Sequence, residues 1–116
     1  MATLADNNWI EHGPLSIRIE RVPEELWLIE LYGELVLEGV DFVSNELLLA
    51  EASDVRRIIV DLSAVNFVDS AGLAVLYGAQ TRSNQDSNRL RFLRGGGQVE
   101  RVIKMTGLDS VLQFAD

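Results

Sequence analysis

Between residues 57 and 77 the chain reads RIIVDLSAVNFVDSAGLAVLY, and its apolar period changes partway through. Ile58, Ile59 and Val60 form a β-branched run that ends at Asp61 and Leu62, which suits a buried strand. Ser63, Ala64 and Asn66 then read as a polar break before Phe67 and Val68. From Leu73 the spacing becomes Leu73, Leu76, Tyr77, with the small residues Ala74, Gly78 and Ala79 around them. That change predicts a helix with Asp69 or Ser70 as its N-cap. A strand therefore hands over to a helix here, and a serine hydroxyl stands at the junction.

The flanking segments supply the rest of the sheet. Leu15, Ile17 and Ile19 alternate with Ser16, Arg18 and Glu20, the pattern of a half-exposed strand. After a turn at Val22-Pro23-Glu24-Glu25, residues 26–31 (LWLIEL) read as a second, antiparallel strand, closed by a turn at Tyr32-Gly33-Glu34-Leu35. Residues 38–52 place Val40, Val43, Leu47, Leu48 and Ala50 at mostly helical spacing, with Glu38 and Asp41 at the positive end of the dipole. The helix that begins near Ser70 runs to about Ser83. Residues 84–88 form a polar turn, residues 89–93 (RLRFL) a strand, and Arg94-Gly95-Gly96-Gly97 a break. Val99, Val102 and Ile103 share one face of a last helix over residues 98–105, stopped by Gly107. Residues 108–114 read as a short helix or a packed tail.

The order β, β, α, β, α, β, α predicts a single α/β domain over residues 14–116. Its sheet is mixed, with an antiparallel start, parallel later strands and helices packed on it. Residues 1–13 read as a flexible segment in which Trp9 and Ile10 are candidate anchors. In sheets of this kind functional sites lie at the carboxyl ends of the strands, where Asp69 and Ser70 stand.

Composition narrows the chemistry. Ten basic against eighteen acidic residues leave a net charge of −8, which repels nucleic-acid phosphates and an anionic membrane alike. With no cysteine there is no disulfide, thiol nucleophile or thiolate metal site. No apolar run approaches ~18 residues, so a cytoplasmic, soluble protein is expected. His12 is the only histidine, so no histidine metal site or Ser-His pair can form. Asp61 and Asp69, eight residues apart across one loop, could share a magnesium ion, but no third ligand is visible. Gly95-Gly96-Gly97 before a helix could present N–H groups to a phosphate, yet no Lys-Ser/Thr follows, and a plain turn is the simpler reading. A receiver-type phospho-aspartate site needs an acidic pair after the first strand, where this chain has a hairpin. No enzyme activity, metal or cofactor is expected. Ser70 remains as either a helix cap or a phosphate acceptor.

These residues resemble the STAS domain, and within it the stand-alone bacterial anti-sigma factor antagonists. The resemblance rests on Ile59-Val60-Asp61-Leu62-Ser63 followed by Phe67-Val68-Asp69-Ser70-Ala71-Gly72-Leu73. It continues in residues 89–93, in Val102-Ile103-Lys104-Met105-Thr106-Gly107-Leu108, and in Gly33-Glu34-Leu35. Two positions depart from the family pattern. Val36 stands where the family has an aspartate, and Arg94-Gly95-Gly96-Gly97 replaces a loop that often reads Gly-Pro-Ser-Pro. The resemblance implies partner switching: the unphosphorylated protein binds an anti-sigma factor that is also a serine kinase, and phosphorylation of Ser70 releases it. A serine phosphatase of the metal-dependent class would reset the switch. By the same resemblance Asp69, Ser70, Ala71, Gly72, Leu73, Glu34 and Val36 form the partner surface. Asp69 is expected to orient the serine, and Gly72 to let the partner approach. A homodimer is left open. The competing expectation is a constitutive interaction module, such as a signalling scaffold or a soluble subunit of a lipid transporter.

Overall fold

The computed structural model describes residues 8–115. Five strands form one sheet in chain order: β1 (Ile10–His12), β2 (Leu15–Val22), β3 (Leu26–Leu35), β4 (Arg57–Val68) and β5 (Leu90–Leu93). β1, β2 and β3 are antiparallel, while β3, β4 and β5 are parallel. The two parallel crossovers are made by α1 (Val40–Glu51) and α2 (Ser70–Gln85), and α3 (Gly97–Met105) follows β5. This is the mixed sheet that the order of elements predicts.

Alternation decides which side of the sheet is dry. Leu15 and Ile17 of β2, Ile29, Leu31 and Leu35 of β3, Ile58 and Val60 of β4 and Phe92 of β5 are buried together. They meet Val43 and Leu47 of α1, Leu76 and Ala79 of α2, and Val99 and Ile103 of α3 in one core. On the other side of β2 and β3, Arg18 pairs with Glu30 at 2.7 Å and lies 4.7 Å above the Trp9 ring. Trp9 meets Tyr32 edge-on at 5.9 Å, so it is an anchor. Ile10–His12, which the sequence reading placed in the flexible segment, instead extends the sheet by pairing with β2. Residues 1–7 lie outside the described residues.

Both strands that lead to the site are longer than the sequence suggests. Tyr32-Gly33-Glu34-Leu35 is not a turn, since β3 runs through it to Leu35. Gly33, at φ 103°, lets β3 continue where the Pro14 carbonyl presses against it. Likewise Ser63, Ala64 and Asn66 do not break β4. Between Glu30/Tyr32 and Gly33/Glu34 the register slips, and each time β4 carries one residue more than β3. These are β-bulges. They rephase the strand so that Leu62, Val65 and Val68 all point into the core at three-residue intervals. A strict two-residue alternation would have turned Val65 outward, which is why the segment does not read as a strand.

In α1 the apolar positions Val43, Leu47 and Ala50 are buried, but Leu48, expected on the same face, is exposed beside Leu49. The last segment is a single turn, Leu108–Ser110, and then a packed tail. Phe92 N donates to Gln113 O and Ala115 N donates to Phe92 O, both at 2.9 Å, which closes the free edge of β5. Among the described residues no helix is long and apolar enough to cross a membrane.

Candidate functional site

The carboxyl ends of β3 and β4 lie side by side, with Leu35 paired to Val68. Immediately beyond that pair, Asp69 N donates to Leu35 O at 3.3 Å. The Asp69 carboxylate then does two things at once. Oδ1 accepts from Gly72 N at 2.9 Å, capping α2, and Oδ2 accepts from Leu37 N at 3.2 Å, holding the chain that leaves β3. Asp69 has the extended backbone of an N-cap, so Ser70 is the first helical residue. The choice between Asp69 and Ser70 as the cap thus falls to Asp69.

That choice changes what Ser70 is. Its hydroxyl caps nothing and has no hydrogen-bond partner among the described residues, and the residue is exposed. The surrounding N–H groups of the first helical turn carry the positive end of the dipole. An anionic group on this oxygen would meet the favourable end of that dipole, set against the like charge of the adjacent Asp69 carboxylate. The Ser70 hydroxyl makes no hydrogen bond to Asp69, the residue that the sequence reading expected to orient it. Both oxygens of Asp69 are engaged by backbone N–H groups, so it fixes the backbone beneath Ser70 instead.

Gly72 requires a second correction. It is buried, and a β-carbon there would collide with the Leu35 carbonyl oxygen while lying 2.7 Å from Val68 Cγ2. The close approach that needs a glycine is therefore internal, between α2 and the end of β3, and not an approach by a partner. Leu73 also packs against the core. The outward part of the motif is Asp69, Ser70 and the half-buried Ala71. From Ser70 the exposed stripe of α2 continues through Ala74 and Tyr77.

Glu34 and Val36 do come alongside. Glu34 is exposed and paired with Phe67, while Val36 is half-buried in the segment that Asp69 holds. Asp61 does not join them. β4 stays extended between Asp61 and Asp69, which separates the two carboxylates by on the order of 20–25 Å. The Asp61 carboxylate accepts from Ser63 N at 2.9 Å, so the pair cannot share a metal ion.

Three residues join the site beyond those expected from the sequence. Leu37 (69 % exposed) and Phe67 (41 % exposed) are apolar side chains left in solvent beside Asp69. Phe67 was recoverable: neighbours in a strand point to opposite faces, so a buried Val68 puts Phe67 outside. Gln98, at the start of α3, accepts from Val68 N at 3.1 Å and donates to Val68 O at 3.3 Å. Its amide replaces the strand partner that Val68 lacks on that side, one residue before Asp69. The triple-glycine loop serves packing. A β-carbon on Gly95 would come 2.8 Å from Leu62 O, and Gly97 has φ 54°.

The site is thus a capped helix start and an exposed serine at the end of β4, flanked by the end of β3, in a mixed sheet. The chain matches the STAS domain over residues 17–116 and belongs to that family. It is 25% identical over 99 residues to an anti-sigma-B factor antagonist of Staphylococcus aureus, covering 84% of this chain and 92% of that protein. The fold matches an anti-sigma factor antagonist from Mycobacterium paratuberculosis with a TM-score of 0.73 at 20% identity, over 88% of this chain and 86% of that one. It also matches the Bacillus cell fate determinant SpoIIAA in its phosphorylated form, with a TM-score of 0.66 at 24% identity, over 86% and 91% of the two chains.

Proposed function

We propose that this protein is an anti-sigma factor antagonist that works by partner switching at Ser70. The carrying observation is that Asp69 takes over the cap and leaves the Ser70 hydroxyl exposed and unpartnered at the first position of α2. The family, the name of the Staphylococcus relative and the phosphorylated state of the Bacillus one support the reading. In the unphosphorylated state the protein binds an anti-sigma factor with serine kinase activity through Ser70, the α2 stripe and the apolar rim of Leu37 and Phe67. The kinase transfers the γ-phosphoryl group of ATP to Ser70 Oγ, the bond to ADP breaking as ADP leaves and the hydroxyl proton passing to a base of the kinase. A metal-dependent serine phosphatase removes it.

The physical basis is an asymmetry between the fold and the complex. Phosphorylation adds about −1.5 to −2 charges at pH 7, to which the first turn of α2 contributes roughly 0.3–1 kcal/mol, partly offset by repulsion from the neighbouring Asp69 carboxylate. In a closed interface the same group would be a buried anion without a partner, which costs several kcal/mol. The domain therefore tolerates the phosphate and the complex does not.

The test is incubation with ATP and each anti-sigma factor kinase of the source organism, read by intact mass. One phosphate is expected on the wild type and none on Ser70→Ala. Equal incorporation in both would sink the assignment. Ser70→Asp should weaken kinase binding about tenfold or more, roughly 1.4 kcal/mol. Recovery of membrane-transporter subunits and no kinase in a pull-down would favour the constitutive module.

A further inference from the structure

At the opposite end of β4 from Ser70, on the order of 30 Å away, the basic residues of this acidic chain are gathered. Arg56, Arg57, Arg89 and Arg91 line one cleft of about 350 Å³ whose floor includes Ile59 and Ala115. They are four of only ten basic residues in a chain of net charge −8. The register brings them together: Arg57 and Ile59 are two apart on β4, so they share a face, and Arg91 of β5 pairs with Ile59.

None of these four is paired with a carboxylate among the described residues. Arg18 is paired with Glu30, Arg82 with Glu51, and Arg94 with Glu100 and Asp109. Arg89 instead donates to the carbonyls of Glu51, Ser53 and Val55 at 2.8, 3.0 and 2.7 Å and to Ser87 Oγ at 2.6 Å. Arg91 donates to the carbonyls of Asn88 and Leu90 and to Gln113 Oε1. Neutral acceptors fix these guanidinium groups in place without cancelling their charge. Arg56 and Arg57 are exposed, and their side chains have no hydrogen-bond or ion-pair partner among the described residues. The acidic turn nearby touches this end through its backbone only, since Arg56 N and Arg57 N donate to the Glu24 and Glu25 carbonyls. Among the described residues no acidic side chain lines the cleft.

We infer that this cleft is a binding site for a compact multivalent oxyanion. Two guanidinium groups are held rigid by the backbone and two more are available to close over a ligand. Arg89 spends four of its five N–H groups on its acceptors and contributes charge. Arg91, bonded only through Nη1, and the exposed Arg56 and Arg57 keep planar forks that match the paired oxygens of phosphate and carboxylate groups. The volume is at the low end for a ligand site, which selects a small anion over a large cofactor.

The test is calorimetric titration of the full chain with inorganic pyrophosphate and, in parallel, with citrate. The two arms separate a phosphate from a carboxylate ligand. Saturable binding of either supports the site, and it should weaken as salt is raised. The double variant Arg56→Gln, Arg57→Gln should lose about tenfold or more in affinity, and Arg101→Gln, on exposed α3 surface, should lose nothing. Both altered side chains are exposed, so folding is not at stake. Asp116 follows Ala115 in sequence, so Asp116→Asn is titrated as well, to remove a carboxylate that could compete. No saturable binding by wild type and Asp116→Asn, or undiminished binding by the double variant, overturns the inference.

Discussion

Two helices begin at the carboxyl ends of neighbouring parallel strands, and they begin differently. α2 starts at Asp69, whose side chain caps Gly72 N and holds Leu37 N, with the hydroxyl of Ser70 next in line. α3 starts at Gly96, which has no side chain to cap with, and a β-carbon on Gly96 or Gly97 would meet nothing within 4 Å. The α3 start makes its connection one residue into the helix, where the Gln98 amide bonds both backbone groups of Val68. The comparison separates two jobs. One helix start presents a functional group, and the other braces the strand that carries it.

If that division is right, substitutions around α2 should cost more than those around α3. The largest loss is expected at Gly72. Helix propensity alone would make Gly72→Ala a gain of about 1 kcal/mol. The new β-carbon, however, meets a backbone carbonyl at Leu35 and the Val68 side chain, and overpacking of this kind costs about 3 kcal/mol. A net loss of about 2 kcal/mol in urea unfolding is expected. A stabilised protein would mean that α2 can slide away from β3.

Asp69→Ala comes next, at about 1.5 kcal/mol, because it removes the cap and the hold on Leu37 together. Asp69→Asn keeps an oxygen for Gly72 N and should recover most of the stability. Kinase binding is the sharper readout: if Asp69 shapes the surface under Ser70, then Asp69→Asn restores binding only as far as the Leu37 contact is restored. Binding that tracks stability alone would reduce Asp69 to a cap.

How much of this could be read in advance depends on the range of the interaction. The cap at residues 69–72 is legible because a capping side chain and the N–H that donates to it lie within four residues. The mixed sheet and its parallel half follow from the order of elements and from alternation at Leu15, Ile17 and Ile19. The two bulges of β4 are not legible, because they are defined by slippage against β3, a strand far away in sequence. Gly72 was read as an opening for a partner for the same reason. A glycine announces that something comes close, but Leu35 and Val68 meet it only after the sheet has formed. Gln98, thirty residues from Val68, carries no sequence pattern at all.

Around α3 the expected effects are smaller. Gln98→Ala leaves Val68 N and O without their side-chain partner and should cost about 1 kcal/mol. Hydrogen exchange at Val68 should quicken while α2 amides beyond the first turn stay protected. Equal loss of protection along α2 would mean that the brace belongs to the whole domain and not to the strand end.

The smallest effects are expected at two adjacent glycines, and they should have opposite signs. Gly96 has φ −133° and open space around it, so any residue fits, and Gly96→Asp would add the cap that α3 lacks. Replacing a cap glycine by aspartate gains a few tenths of a kcal/mol, with a further small gain from the helix dipole. Gly97 has the same open space but φ 54°, where a β-carbon is strained, so Gly97→Ala should lose about 1 kcal/mol. Because neither β-carbon would touch anything, packing plays no part, and the pair sets a capping hydrogen bond at residue 96 against backbone strain at residue 97. A gain at Gly96 with a loss at Gly97 in parallel unfolding curves would show that the α3 start is left uncapped by choice of residue and not by geometry. Losses at both would mean instead that residues 95–97 depend on glycine throughout, as Gly95 does against the Leu62 carbonyl.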